Sequence, residues 1–442
     1  MKTPIIDFLE KYKKENPVRL HMPAHKGKIL GYEKDITEIV GADSLYDARG
    51  IIDESEKNLS ALFGTKFSAY STEGSSLCIR TILALIVKFA CKKGQKPLVL
   101  ATRNAHSSFL YGVALLDIDV EWITGENTCF FATNIDEKTV ENKLNKMATK
   151  PTAIYITSPD YLGNIAPIDK IARVCKKHGV LLVVDNAHGA YLNFLSNNIH
   201  PISLGADMCC DSAHKTLPTL TGGAYLHVSK LLDCFTKQEV KVAMKIFAST
   251  SPSYLILQSL DYTNKYLFEN KETYEICSKR VQKVKDLCVL RGISLVGKEP
   301  LKISLETKSF GYLGSEVAEY LQEKSIYVEY FDSDYVVLMF SPLNSEEDFN
   351  RLENVIQSLP KKEPIEKQNF NSINPIRKLS IKDALFSKQE MVDIDNAKGR
   401  ILASVNLSCP PAVPIIYSGE VIDDNTIEIM KYYQIEQCFV VK

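Results

Sequence analysis

Between residues 60 and 227, short apolar runs of strand length alternate with helix-patterned segments. That alternation restricts the chain to architectures built on a parallel-rich α/β sheet. The runs fall at 97–101, 153–157, 180–184 and 208–210. Between two of them Ile168, Ile171, Ala172 and Cys175 recur at i, i+3, i+4 and i+7, and Gly179 supplies a stop, so the segment reads as an amphipathic helix. A helix of that length suits a right-handed crossover, which leaves the loops after the strands on one edge of the sheet, where ligands bind. Two of those loops carry reactive side chains. Residues 179–184 read as a buried strand delivering Asp185, Asn186, Ala187 and His188 to its carboxyl end, and the run 208–210 is followed by Asp211, Ser212, Ala213, His214, Lys215 and Thr216.

A chain of 442 residues that is 45% hydrophobic can bury large cores, at a typical two or three domains. Residues 1–55 read as an N-terminal arm with a short helix at 4–13 and a stretch, 21–27, too rich in Gly and Pro for regular structure. The large domain follows at 56–260, a small α+β subdomain at 261–362 and a C-terminal domain at 363–442. The subdomain opens on long charged helices (261–291) and continues as strand, helix, strand, strand, helix (301–359). A linker at 360–374 leads to a last segment of one helix and short strands.

With 53 Lys and Arg against 54 Asp and Glu, the net charge of -1 draws the chain to neither nucleic acid nor an anionic membrane, and small-molecule chemistry is expected. The eleven cysteines show no paired CxxC spacing, and Pro23 breaks any helix that would align His21 with His25, so no metal site is expected. No dinucleotide fingerprint or P-loop occurs. The N-terminus lacks a signal-peptide core, and no run approaches ~18 apolar residues, which points to the cytoplasm.

Pyridoxal phosphate asks a protein for an amine, a carboxylate for the ring nitrogen, a flat partner for the ring and donors for the phosphate. Lys215, set among Ser212, His214 and Thr216, is the candidate Schiff-base amine, against the bland reading of a surface lysine. Asp185 follows four aliphatic residues, where a carboxylate needs a cationic partner such as a pyridinium; the alternative is a turn or helix-cap aspartate. His188 suits the ring oxygen or a purely structural role. Gly74, Ser75 and Ser76, at the start of an apolar helix, offer an anion site or a plain serine cap. His106, in the loop 103–106, is either a ring-stacking partner or a lone loop histidine.

Taken together these stretches resemble the Orn/Lys/Arg decarboxylase family in its short form, without an N-terminal wing domain. Residues 21–27 (HMPAHKG) look like its HMPGHKG opening, residues 185–189 like its DEAHG, 212–216 like its SxHKT, and 249–254 (STSPSY) like its TSPSY. Gly399, Arg400 and Ile401, then Pro410, Pro411, Ala412, Val413 and Pro414, then Gly419 and Glu420 are similar to its GRI, PPGIP and PGE. The resemblance implies a fold-type I, aspartate aminotransferase-like large domain with a mostly parallel sheet, small α+β C-terminal domains, and pyridoxal 5'-phosphate as cofactor. It assigns Lys215 to the Schiff base and Asp185 to the ring nitrogen, with Ala187 and His188 beside the ring and His106 stacked on it. Gly74, Ser75, Ser76, Ser212 and His214 hold the phosphate. Ser249 and Thr250 reach the phosphate of a neighbouring subunit, which implies a homodimer with shared sites.

The departures are Ala24 for glycine, Glu73 for asparagine, Cys78 for glycine, Asn186 for the glutamate of DEAHG, Tyr191 for histidine, and Cys409 and Ala412 in the proline motif. The expected reaction is decarboxylation of an amino acid, most naturally lysine, ornithine or arginine, to a di- or polyamine and CO2. Lys215, Asp185, His188 and His214 are the catalytic candidates. The alternatives are another reaction on the same cofactor, as in a transaminase, lyase or racemase, or a non-catalytic regulatory relative. For a basic substrate the candidate acids are Asp43, Asp47, Asp53, Glu54 and Glu420.

Overall fold

The strand carrying Asp185 is buried on both faces, which is why it reads as an unbroken aliphatic run. A computed structural model describes residues 1–29, 31–124, 126–129, 131–368, 370, 375–404 and 413–442; Cys409, Pro410, Pro411 and Ala412 lie outside the described residues. In chain order the first strands are β1 (Phe67–Ser71), β2 (Leu98–Thr102), β3 (Asp119–Ile123), β4 (Glu126–Cys129), β5 (Ala132–Asn134), β6 (Ala153–Thr157), β7 (Leu181–Asp185), β8 (Met208–Asp211) and β9 (Ala224–Val228). β4 and β5 form an antiparallel hairpin, and the other seven make one sheet in the order β1-β9-β8-β7-β6-β2-β3. β7 and β8 run parallel, β9 runs against both its neighbours, and the sheet is mostly parallel. The apolar runs at 97–101, 153–157, 180–184 and 208–210 fall within a residue of β2, β6, β7 and β8.

The chain divides into two compact units. The first holds residues 1–100, 140–156 and 167–273, the second 101–139, 157–166 and 274–442.

The first unit holds helices α1 (Pro4–Glu15), α2 (Ile51–Phe63) and α3 (Gly74–Lys92), with α1 packed on α2 and α2 on β1. α3 packs on β1, β8 and β9 and on the helix Lys237–Lys245. By length and composition it could span a membrane, which the sequence reading did not anticipate; more than half of that window is buried in the unit. Its apolar character is that of a core helix: Leu77, Ile79, Ile82, Leu83, Leu85 and Ile86 are buried, each contributing about 1.5–3 kcal/mol. That burial holds the start of the helix in place. The arm is tied down by Asp261, whose Oδ2 accepts from the backbone N–H of Ile5 (3.0 Å) and Ile6 (3.1 Å). Lys241, buried, pairs with buried Glu56 and donates to Leu45 O at 2.8 Å.

The second unit contains α4 (Ser107–Leu116) and the C-terminal strands β10 (Ser294–Val296), β11 (Lys302–Glu306), β12 (Tyr330–Phe331), β13 (Tyr335–Met339), β14 (Gln389–Asp393), β15 (Leu402–Ser404) and β16 (Gln437–Val441). They make two antiparallel sheets, β10-β11-β13-β12 and β14-β16-β15. Ile394, Leu402, Ile416, Ile422, Met430 and Val440 form the core under the latter. Among its described residues the terminal segment holds two helices where one was expected. Ile381–Leu385 spans five residues, too few to leave a periodic pattern, and is started by the Ser380 side chain accepting from Asp383 N–H.

Candidate active site

β7 and β8 are parallel neighbours, so the residues that follow them emerge side by side. Lys215 lies in a short helix after β8, and its Nζ stands 3.1 Å from Nε2 of buried His188, which follows β7. Asp185, the last residue of β7, is 2% exposed. One carboxylate oxygen accepts from the Tyr155 hydroxyl at 2.9 Å; the other accepts from the Ala187 N–H at 3.2 Å and the Cys210 thiol at 3.6 Å. Burial, reinforced by the Asp185 charge, pushes the Tyr155 phenol and the Cys210 thiol well above their ordinary pKa values, so both stay protonated as donors. Among the described residues no cationic side chain pairs with Asp185. A buried carboxylate with only neutral donors is costly, and a protonated ring nitrogen would complete its environment.

The start of α3 is the candidate anion site. Gly74 sits at φ +68°, a left-handed conformation that favours glycine, and its N–H donates to Gly222 O at 2.8 Å. No side chain caps the helix, which leaves its first turn suited to an anion. Ser212 Oγ donates to Ser75 Oγ at 2.7 Å, joining the Lys215 loop to this helix start. His214 is oriented by Nδ1 against Gly223 O at 3.0 Å, and Ser76 occupies the same first turn. Ser249 and Thr250 are exposed, and the Ser249 N–H donates to Oε1 of Glu73 at 2.8 Å. The Glu73 departure thus anchors the STSPSY segment beside the helix start.

His106 belongs to the second unit, where its Nδ1 caps α4 by accepting from Ser108 N–H at 3.1 Å. Its loop is held by Arg103, bidentate to Glu420 at 2.8 and 2.9 Å, with the guanidinium 4.7 Å from the centre of the Tyr417 ring. Burial pulls the Arg103 pKa down, but the carboxylate of Glu420 more than restores it and the guanidinium stays charged.

This corrects the expectation that Glu420 is free to read a basic substrate: it is 1% exposed and committed to Arg103 and to the Tyr417 N–H. Three of the arm acids are also engaged. Asp43 accepts backbone N–H groups at the start of α2, Asp47 pairs with Lys245, and Asp53 pairs with Lys57 and Lys237. Sequence reasoning missed Tyr155, Cys210 and Arg103 as partners; a tyrosine flanked by Ile154 and Ile156 in β6 was the available signal for the first.

This fold is that of the fold-type I pyridoxal phosphate enzymes: a lysine decarboxylase structure from Francisella novicida superimposes with a TM-score of 0.81 at 16% identity, covering 100% of this chain and 81% of that one. Residues 3–297 match the major domain of Orn/Lys/Arg decarboxylases and residues 370–441 their C-terminal domain. The chain belongs to the Orn/Lys/Arg decarboxylase family, pyridoxal phosphate-dependent carboxy-lyases. An arginine decarboxylase of Bacillus subtilis (strain 168) is 26% identical over 96% of this chain and 92% of its own length. The uncharacterized protein YaaO of the same strain is 28% identical over 97% and 93%.

Proposed function

We propose that the enzyme decarboxylates a basic amino acid (arginine, lysine or ornithine) with pyridoxal phosphate held at Lys215. The observation that carries this reading is Asp185, buried and bonded only by neutral donors, at the end of the strand next to the one that leads to Lys215, with His188 from its own loop reaching that lysine. Bound there, pyridoxal phosphate supplies an electron sink for the bond that breaks at the substrate's α-carbon. Lys215 provides the amine for the aldehyde, and Asp185, held by Tyr155 and Ala187, keeps a proton on the ring nitrogen. His188 orients the lysine. Gly74, Ser75, Ser76, Ser212 and His214 bind phosphate with the uncapped end of α3, and the family motif assigns His106 the ring-stacking role. Ser249 and Thr250, exposed beside the helix start, serve the site of a second copy in a homodimer.

The test is CO2 release from arginine, lysine and ornithine by the purified protein with pyridoxal phosphate, run beside the visible spectrum. Release from one of them, abolished in Lys215→Ala, is the expected outcome. Keto acid or ammonia in place of CO2 overturns the reaction assignment, and a protein that never takes up the cofactor overturns the whole reading.

A further inference from the structure

Asp211 ends β8, is fully buried, and plays no part in the roles assigned above. Its Oδ1 accepts from Asn186 Nδ2 at 2.7 Å, and its Oδ2 from Nε2 of His200 at 3.1 Å and of His227 at 3.2 Å. Burial alone would raise the Asp211 carboxyl; the two imidazoles reverse that and hold it well below the usual carboxylate range. With His227 donating from Nε2, its Nδ1 accepts from Ser68 Oγ at 2.7 Å, and Ser68 Oγ accepts in turn from Thr65 Oγ1 at 2.8 Å. His200, Cys209 and Asp211 also have the chemistry of a metal set, but Oδ2 already takes two N–H donors and burial keeps the Cys209 thiol protonated.

The position of this network gives it a role. Asn186 directly follows Asp185, and Asp211 directly precedes Ser212 and the Lys215 loop. Their side-chain bond, with Asn186 N–H to Cys210 O at 2.9 Å, joins the two strand ends where the two loops diverge. The pair carries a single negative charge. A glutamate at 186, as in DEAHG, would bring a second buried carboxylate against Asp211, and two such groups in contact cannot both ionise.

We infer that Asn186 and Asp211 are the positioning pair of this site: Asp211 supplies from β8 the carboxylate that the family pattern puts after the aspartate of β7, and their bond sets the spacing of Asp185 and Lys215. The inference rests on the cofactor reading above.

The test compares full-length wild type, Asp211→Asn, Asn186→Asp, the double variant and Asn186→Ala. Each is titrated with pyridoxal phosphate by visible absorbance, and the pH midpoint of that absorbance is recorded. Circular dichroism and thermal unfolding of the cofactor-free proteins control for folding. Each single change is expected to weaken cofactor binding roughly tenfold or more, the ratio carried by one charge-assisted hydrogen bond. The double variant, which reverses the donor and acceptor, is expected to recover to within about threefold of wild type. Asn186→Ala, which removes the bond without adding charge, shifts the pH midpoint and weakens binding with its fold intact. Wild-type binding and pH midpoint in Asn186→Ala, or a double variant no better than its worse parent, overturns the pairing alone. A wild type that binds no cofactor overturns the cofactor reading and the pairing with it.

Discussion

Asp185 in the first unit and Glu420 in the second are both buried carboxylates within family motifs, yet their surroundings differ in kind. Glu420 meets Arg103 through two parallel hydrogen bonds, so its charge is balanced within the protein. Asp185 meets a phenol, an amide and a thiol, so its charge is solvated by dipoles and balanced by no cation among the described residues. The first arrangement makes structure; the second leaves a charge for a ligand to balance. On the proposed reading, equal burial leaves Asp185 for a ligand and Glu420 for support because, among the described residues, only Glu420 has a cation within the protein.

Glu420→Ala gives the largest effect the comparison implies. It strands the Arg103 guanidinium in the interior, and breaking a buried pair in this way costs about 3–5 kcal/mol. The loss is expected in the denaturant midpoint of cofactor-free protein, and a variant as stable as wild type would contradict the structural reading of the pair. Asp185→Asn is the opposite case. Cofactor-free protein is expected to be no less stable than wild type, because an uncompensated buried charge is gone. Turnover with bound pyridoxal phosphate is expected to fall about 10²–10³-fold, the range for loss of one electrostatic stabiliser. Destabilisation with full activity would reverse the roles assigned to the two carboxylates.

Much of the fold was legible because parallel strands covered on both faces leave unbroken apolar runs, and β6, β7 and β8 are of that kind. The convergence of Lys215 and His188 was legible for the same reason, since residues after adjacent parallel strands share an edge. Partners drawn from distant segments were not. Glu420 lies 317 residues from Arg103, and nothing in the local sequence at either position distinguishes a free acid from a committed one. Asp43 likewise looked available for a substrate because its partners are backbone N–H groups, which every residue except proline carries. The reversal of β9 was hidden too, because direction leaves no mark on a buried apolar strand.

A third buried carboxylate probes whether lack of an ion pair always marks a ligand site. Asp160, 1% exposed in the second unit, accepts from Asn164 N–H at 2.9 Å and Asn164 Nδ2 at 2.8 Å, again neutral donors. Here burial wins and the carboxyl is pushed up to about 6, so Asp160 can relieve its isolation by taking up a proton. The folded-state pKa lies above the unfolded one, so the folded form binds the proton more tightly. The stabilisation is therefore complete below about pH 4 and is lost as pH rises through about 6. Over that window the contribution amounts to roughly 3 kcal/mol at most. Asp160→Asn keeps the shape and cannot titrate, so its stability is expected to fall less than that of wild type between pH 4 and pH 7. The difference between the two denaturant-midpoint curves reads this directly. Parallel curves would mean that Asp160 stays ionised in the interior, and a ligand would then have to be sought for it.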